Sequence, residues 1–125
     1  INGKWHVYPE MAAAGLWTTP GDLCRWALEI QRAYDGKSRK LLSQAMARQM
    51  LTRQTGDFGL GPGLLGSGES LRFGHGGSNA GFKCQLMANL KGQAVVVMTN
   101  GDQGGKLAQE ISELVIAEYK WAPAQ

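Results

Sequence analysis

The stretch GFKCQLMANLKGQAVVVMTN, Gly81 to Asn100, constrains the fold of this chain more than any other. From Gly81 to Leu90 the side chains alternate. Phe82, Cys84, Leu86, Ala88 and Leu90 fall on one side; Lys83, Gln85, Met87 and Asn89 fall on the other. A period of two is the signature of a strand with one face in a core. Lys91 and Gly92 make a tight turn, and Ala94 to Met98 is then continuously apolar. That run predicts a central strand covered on both faces. Together the two segments predict an antiparallel hairpin. A lone hairpin is marginal in water, so further strands or helices must cover it.

The rest of the chain supplies candidates. In TTPGDLCRWALEIQRAYDG, Thr19 is an N-cap, Pro20 suits the first turn and Asp22 completes a capping box. Leu23, Trp26, Ala27, Ile30 and Tyr34 follow at helical spacing, and Gly36 ends the helix. Ser43 caps a shorter helix over about Gln44 to Thr52, with Met46, Met50 and Leu51 as its apolar side. Gly56 to Ser70 is glycine-rich and predicts a loop with at most one short strand. Leu71 to Gly74 reads as a strand. GGKLAQEISELVIAEYKW predicts a final helix, with Leu107, Ile111, Leu114 and Val115 expected to pack on the sheet.

The fold class is therefore α+β: a small antiparallel sheet of about three strands, a C-terminal helix packed on it, and two N-terminal helices. One domain spans 1–125, with a helical part over 1–55 and the sheet and final helix over 56–125. So thin a sheet leaves one edge or face in need of a partner, and self-association is expected.

Composition narrows the function. The chain has 125 residues, is 43% hydrophobic and carries a net charge of +3. It can bury a core unaided. Lys37, Arg39 and Lys40 form a short basic cluster with no interleaved aromatics, which reads as a solvated loop and not as a nucleic-acid surface. No apolar run is long enough to span a membrane. Cys24 and Cys84 fall on apolar faces and read as two buried free thiols. There is no signal peptide, but the sequence opens at Ile1 and reads as the middle of a longer one, so localisation cannot be read from it.

Several motifs fail. Gly61 to Gly66 matches G-x-G-x-x-G, but no helix follows to face a pyrophosphate. Ser78 has Gly76 before it but Ala80 after it, so it is not a nucleophile elbow. His6 and His75 lie far apart with no cysteine beside either, so no metal is expected. FGHGGSNAGF, Phe73 to Phe82, remains. Gly76 and Gly77 let a backbone approach a ligand closely. An amide beyond them, such as that of Ser78, can donate to an oxyanion, and His75 can supply a proton near neutral pH. The alternative is a glycine turn with His75 merely hydrogen-bonded.

Four pieces in order resemble the C-terminal part of the serine β-lactamase-like hydrolases: class C β-lactamases, D-alanyl-D-alanine carboxypeptidases, penicillin-binding proteins and related esterases. They are YPEMAAAGLWTTPGDLCRWA, LLSQAMARQMLT, FGHGGSNAGF and VVVMTNGD. The resemblance covers nearly the whole chain. It implies the C-terminal portion of the β-lactamase/transpeptidase-like fold, with His75, Gly76 and Gly77 in the family's third motif, which is commonly Lys-Thr-Gly. His75 would orient substrate and support proton transfer, the Ser78 amide would form half of an oxyanion hole, and Asn79 would line the same cleft. The strand would hold substrate by edge pairing.

The resemblance also implies no cofactor, a small acyl or peptide substrate, and a periplasmic or secreted setting. The family's Ser-x-x-Lys and Tyr-x-Asn are missing. None of Ser38, Ser43, Ser67, Ser70, Ser78 and Ser112 has Lys three residues on, and Tyr8, Tyr34 and Tyr119 lack the Asn. The chain is expected to carry one wall of an active site, with the nucleophile upstream of Ile1 or on a second chain, and to be inactive alone. The rival expectation is a non-catalytic peptide- or protein-binding module built on the same fold.

Overall fold

The computed structural model describes Val7 and residues 9–123; His6 and Tyr8 lie outside the described residues. A short turn of helix, α1 (Met11–Ala14), precedes α2 (Pro20–Tyr34). Thr19 caps α2 as its sequence predicts. Its Oγ1 accepts from the Asp22 amide at 3.2 Å and donates to Asp22 Oδ2 at 2.9 Å. Gly36, at φ +75°, ends the helix. The Gly36 amide donates to Ala33 O and the Lys37 amide to Arg32 O, which satisfies the last carbonyls. Ser43 caps α3 (Gln44–Met50) by accepting from the Met46 amide. Met46 itself is exposed, against expectation. A seven-residue helix presents little more than one face, and Ala47 with the following Leu51 occupies it.

Four antiparallel strands follow in the order β1 (Gly63–Leu65), β2 (Arg72–Asn79), β3 (Phe82–Asn89) and β4 (Ala94–Thr99). The extra strand, β1, comes from the glycine-rich loop. β4 is not central, as its apolar run suggests, but the outer strand of the sheet. The helices explain the run: α2 covers one face of β4 and α4 (Gly104–Glu118) covers the other.

Directly paired residues share a face of the sheet. Phe73 pairs with Ala88 and Ala88 with Ala94; His75 pairs with Leu86 and Leu86 with Val96. This face packs on α2 and α3, in a core of Ala27, Ile30, Leu51, Leu64, Phe73, Leu86 and Ala88. Gln31 ties α2 to the β3–β4 turn, its Nε2 donating to Asn89 O at 2.6 Å and Gln93 O at 2.8 Å.

The other face meets α4, but not through the expected leucines. Ala108 and Ser112 are the buried residues of α4, and a side chain on Gly104 would overlap Thr99. Small residues let helix and sheet approach closely, and Ser112 satisfies its hydroxyl on Ala108 O at 2.8 Å. Leu107, Ile111 and Leu114 are left 52%, 37% and 70% exposed. Both cysteines are free thiols but half-buried, not fully buried as the sequence suggested.

Candidate active-site strand

His75-Gly76-Gly77-Ser78-Asn79 is strand, not turn. β2 runs through all five residues in unbroken register with β3, from Arg72↔Asn89 to Asn79↔Phe82. The turn comes one residue later, where Gly81 takes φ +76°. On its outer side β2 pairs with β1 only over Arg72 to Gly74. From His75 to Asn79 that side has no strand partner among the described residues.

Pairing fixes which backbone groups face the opening. In an antiparallel strand, alternate residues direct NH and C=O to opposite neighbours. The Asn89 amide donates to Gln93 O, so the β3 residues sharing its face bond to β4. The other set, Phe82, Cys84, Leu86 and Ala88, bonds to β2. His75, Gly77 and Asn79 therefore direct their backbone groups to β3. Gly76 and Ser78 turn theirs to the open edge.

The glycines differ in what the fold demands of them. A Cβ on Gly74 would overlap the Leu86 carbonyl oxygen. A Cβ on Gly77 would lie 2.5 Å from Cys84 Sγ. Gly76 is under no such demand, because its nearest neighbour would be Cys84 O at an ordinary 3.7 Å. None of the three has a positive φ. Gly74 and the Cys84–Gly77 packing escaped sequence reasoning, since nothing in the string reveals which atoms lie across the strand.

His75 is exposed on the α2 face. Its Nδ1 lies 2.6 Å from Gly76 O. A carbonyl oxygen only accepts, so Nδ1 carries the hydrogen and the neutral ring presents Nε2 as an acceptor. Ser78 is exposed. Asn79 is tied elsewhere, its Nδ2 donating to Ala14 O at 2.9 Å. That bond holds the segment after α1 over the end of the sheet, where Trp17 meets Phe82 edge-on at 5.7 Å. An open groove of about 470 Å³ borders His75 and Gly76. Gly63, Gly74 and Gly76 line it with Phe58, Leu65 and Met87. Leu65 and Met87 share the α4 face of the sheet, opposite to the His75 side chain. Gly77, Ser78 and Asn79 are not among its lining residues. Among the described residues no cluster of His, Cys, Asp or Glu could hold a metal.

Asp102, which sequence reasoning passed over inside VVVMTNGD, anchors the end of the β2–β3 hairpin. Its Oδ1 accepts from the Gly81 amide at 2.7 Å and lies 3.6 Å from Lys83 Nζ. The Gly81 bond first, then Lys83, holds its carboxyl below the usual carboxylate range. A carboxyl lowered on folding stabilises the fold at neutral pH and ceases to do so as pH falls through its own lowered value. Asp102→Asn is therefore expected to flatten the acid limb of a melting-temperature profile between neutral pH and about pH 2. A variant profile parallel to the parent's would refute that role.

An antiparallel sheet with helices on both faces and a histidine-glycine strand open at its edge defines one wall of a hydrolase-type cleft. The family model described as Beta-lactamase matches residues 2–119, and the chain belongs to that family. The chain is also similar to two solved structures. One is described as the crystal structure of SurE with D-Leu, at TM-score 0.62 and 21% identity, over 78% of this chain and 25% of that one. The other, the crystal structure of SurE, gives TM-score 0.59 at 21% identity, over 79% and 24%. The likeness is one of fold, and this chain spans about a quarter of their length. No curated protein matches.

Proposed function

We propose that this chain is the substrate-edge wall of a serine hydrolase of the β-lactamase and penicillin-binding type. The observation that carries the reading is the open β2 edge, on which Gly76 and Ser78 present backbone groups beside an exposed histidine. Substrate lies along this edge in extended form, and its carbonyl oxygen accepts from the Ser78 amide as negative charge develops. Gly76 keeps the approach free of side chains. His75 Nε2 accepts or returns a proton at the reacting centre. Asn79 borders the far end of the cleft while holding Ala14.

The acylated serine and its lysine are supplied by the Ser-x-x-Lys segment, either from upstream in the same polypeptide or from a second chain. The substrate is a lactam, a D-alanyl peptide or an ester. That a solved relative in fold is described with D-Leu bound is in keeping with a D-amino-acyl substrate.

The pure chain is expected to show no steady turnover of nitrocefin or p-nitrophenyl esters. In a polypeptide that also carries the serine, His75→Ala is expected to reduce kcat by roughly 10²–10⁴-fold. Steady hydrolysis by the pure chain, lost on His75→Ala, would overturn the division of labour. An unchanged kcat in the serine-bearing polypeptide would remove His75 from the reaction.

A further inference from the structure

We propose that the β4 edge and the outer flank of α4 form one surface, and that a second copy of this chain docks on it about a two-fold axis through Val96. β4 ends the sheet and reads Ala-Val-Val-Val-Met-Thr, with no charge and no proline to blunt pairing. Its residues Val95, Val97 and Thr99 bond inward to β3, by the alternation set at Asn89 and Gln93. Ala94, Val96 and Met98 therefore turn NH and C=O outward.

The flank of α4 lies over that same edge. α4 runs antiparallel to β4, since Gly104 sits against Thr99 while Gln93 Nε2 reaches Tyr119 O at 3.3 Å. Viewed from α4 with β3 running upward, L-residues turned toward the viewer bond to the strand on their right. Asn89 is such a residue, so β4 is on the right. α4 then runs upward too. In a right-handed helix with Ala108 and Ser112 facing the sheet, Leu107, Ile111 and Leu114 lie about 60–120° round to the right. The exposed apolar stripe therefore overhangs the open β4 edge.

Three further features make the surface complementary to itself. First, level: β4 and its turn climb about 20 Å from Thr99 to Gln93, and α4 climbs about 22 Å from Gly104 to Tyr119. Val96 is thus level with Ile111, the middle of the stripe. A two-fold at Val96 pairs Val96 with itself and Ala94 with Met98, and sets the two stripes face to face. Second, spacing: α4 sits over β3 and β4, so joining two sheets at β4 places the helix axes two strand spacings apart. That is about 9.6 Å, inside the roughly 8–10 Å of packed helices. Third, charge: Glu118, at the C-terminal end of the stripe, meets the N-terminal turn of the opposite α4. That turn has no side-chain cap and carries Lys106. The product is an eight-stranded sheet with two antiparallel helices across its centre, an isologous dimer.

Sedimentation equilibrium tests this. The expected species is a dimer of about 27 kDa, twice the 13.5 kDa chain, at roughly 100 µM. Leu114→Glu, at a site 70% exposed, is expected to give monomer with an unchanged circular dichroism spectrum. Glu118→Lys should weaken association on the order of tenfold, and adding Lys106→Glu should restore it. In hydrogen exchange, the Val96 and Met98 amides should be protected in the parent and exchange freely in Leu114→Glu. A parent that stays monomeric at that concentration overturns the proposal. So does a dimer that survives both Leu114→Glu and Glu118→Lys, because another surface then holds it.

Discussion

Gly74→Ala is expected to cost about 3 kcal/mol and lower the melting temperature by roughly 10 °C. The neighbouring Gly76→Ala is expected to leave stability within about 0.5–1 kcal/mol of the parent. The two sites are two residues apart on one strand and face the same way, so propensity and exposure do not separate them. Steric environment does. An alanine methyl at Gly74 would overlap the Leu86 carbonyl oxygen, which is backbone and held in the β2–β3 ladder. At Gly76 the nearest atom would be 3.7 Å away. Gly77→Ala falls between them, because the Cys84 sulfur it meets can rotate aside. Paired thermal melts decide the matter. Equal melting temperatures for the Gly74 and Gly76 variants would contradict the geometry. The contrast also has a use: since the fold does not require glycine at Gly76, an activity lost there reports on the ligand's approach and not on folding.

The second large effect is at Phe73. It is fully buried, on the strand that carries His75 two residues later, and it sits in the core with Ile30, Leu51, Leu64 and Ala88. Phe73→Ala removes a ring that elements on both sides cannot refill, at a cost of about 3–5 kcal/mol. Against a total stability of roughly 5–15 kcal/mol for a domain of this kind, such a loss brings the chain near its unfolding limit. Urea denaturation should show a lower midpoint with an unchanged slope. A loss below about 1 kcal/mol would mean that α2 does not close over β2 as described.

Legibility in the sequence followed the range of each interaction. The cap of α2 at Thr19, its end at Gly36 and the cap of α3 at Ser43 involve neighbours within a few residues, and each reads directly from the string. The β3 alternation is equally plain, because Leu86 and Ala88 meet one continuous core. What the string cannot rank is which of two apolar surfaces gets covered. Leu107, Ile111 and Leu114 form the more hydrophobic stripe of α4, yet Gly104, Ala108 and Ser112 win the sheet because they allow a closer approach. β4 reads as a central strand because its helical covers give the same apolar run that flanking strands would give.

At the site, His-Gly-Gly stands out as a string. Which of its amides are free is a matter of pairing parity, set at Asn89 and Gln93 on the far side of β3. The fold confirms neither the glycine turn nor the roles of individual residues. It replaces the turn with a strand, and it separates Gly76 and Ser78, which face the opening, from His75, Gly77 and Asn79, whose backbones face β3.

The central claim is that this open edge receives an extended acyl or peptide substrate. Amide-resolved NMR of the pure chain, titrated with N-acetyl-D-alanine methyl ester at roughly millimolar concentration, tests it most directly. The account predicts that the largest shifts fall on the Gly76 and Ser78 amides, with smaller ones at His75 and Gly77, and that Gly76→Ala weakens them without unfolding the chain. Largest shifts at His75 and Gly77, shifts confined to the α4 flank, or none at any concentration would contradict it.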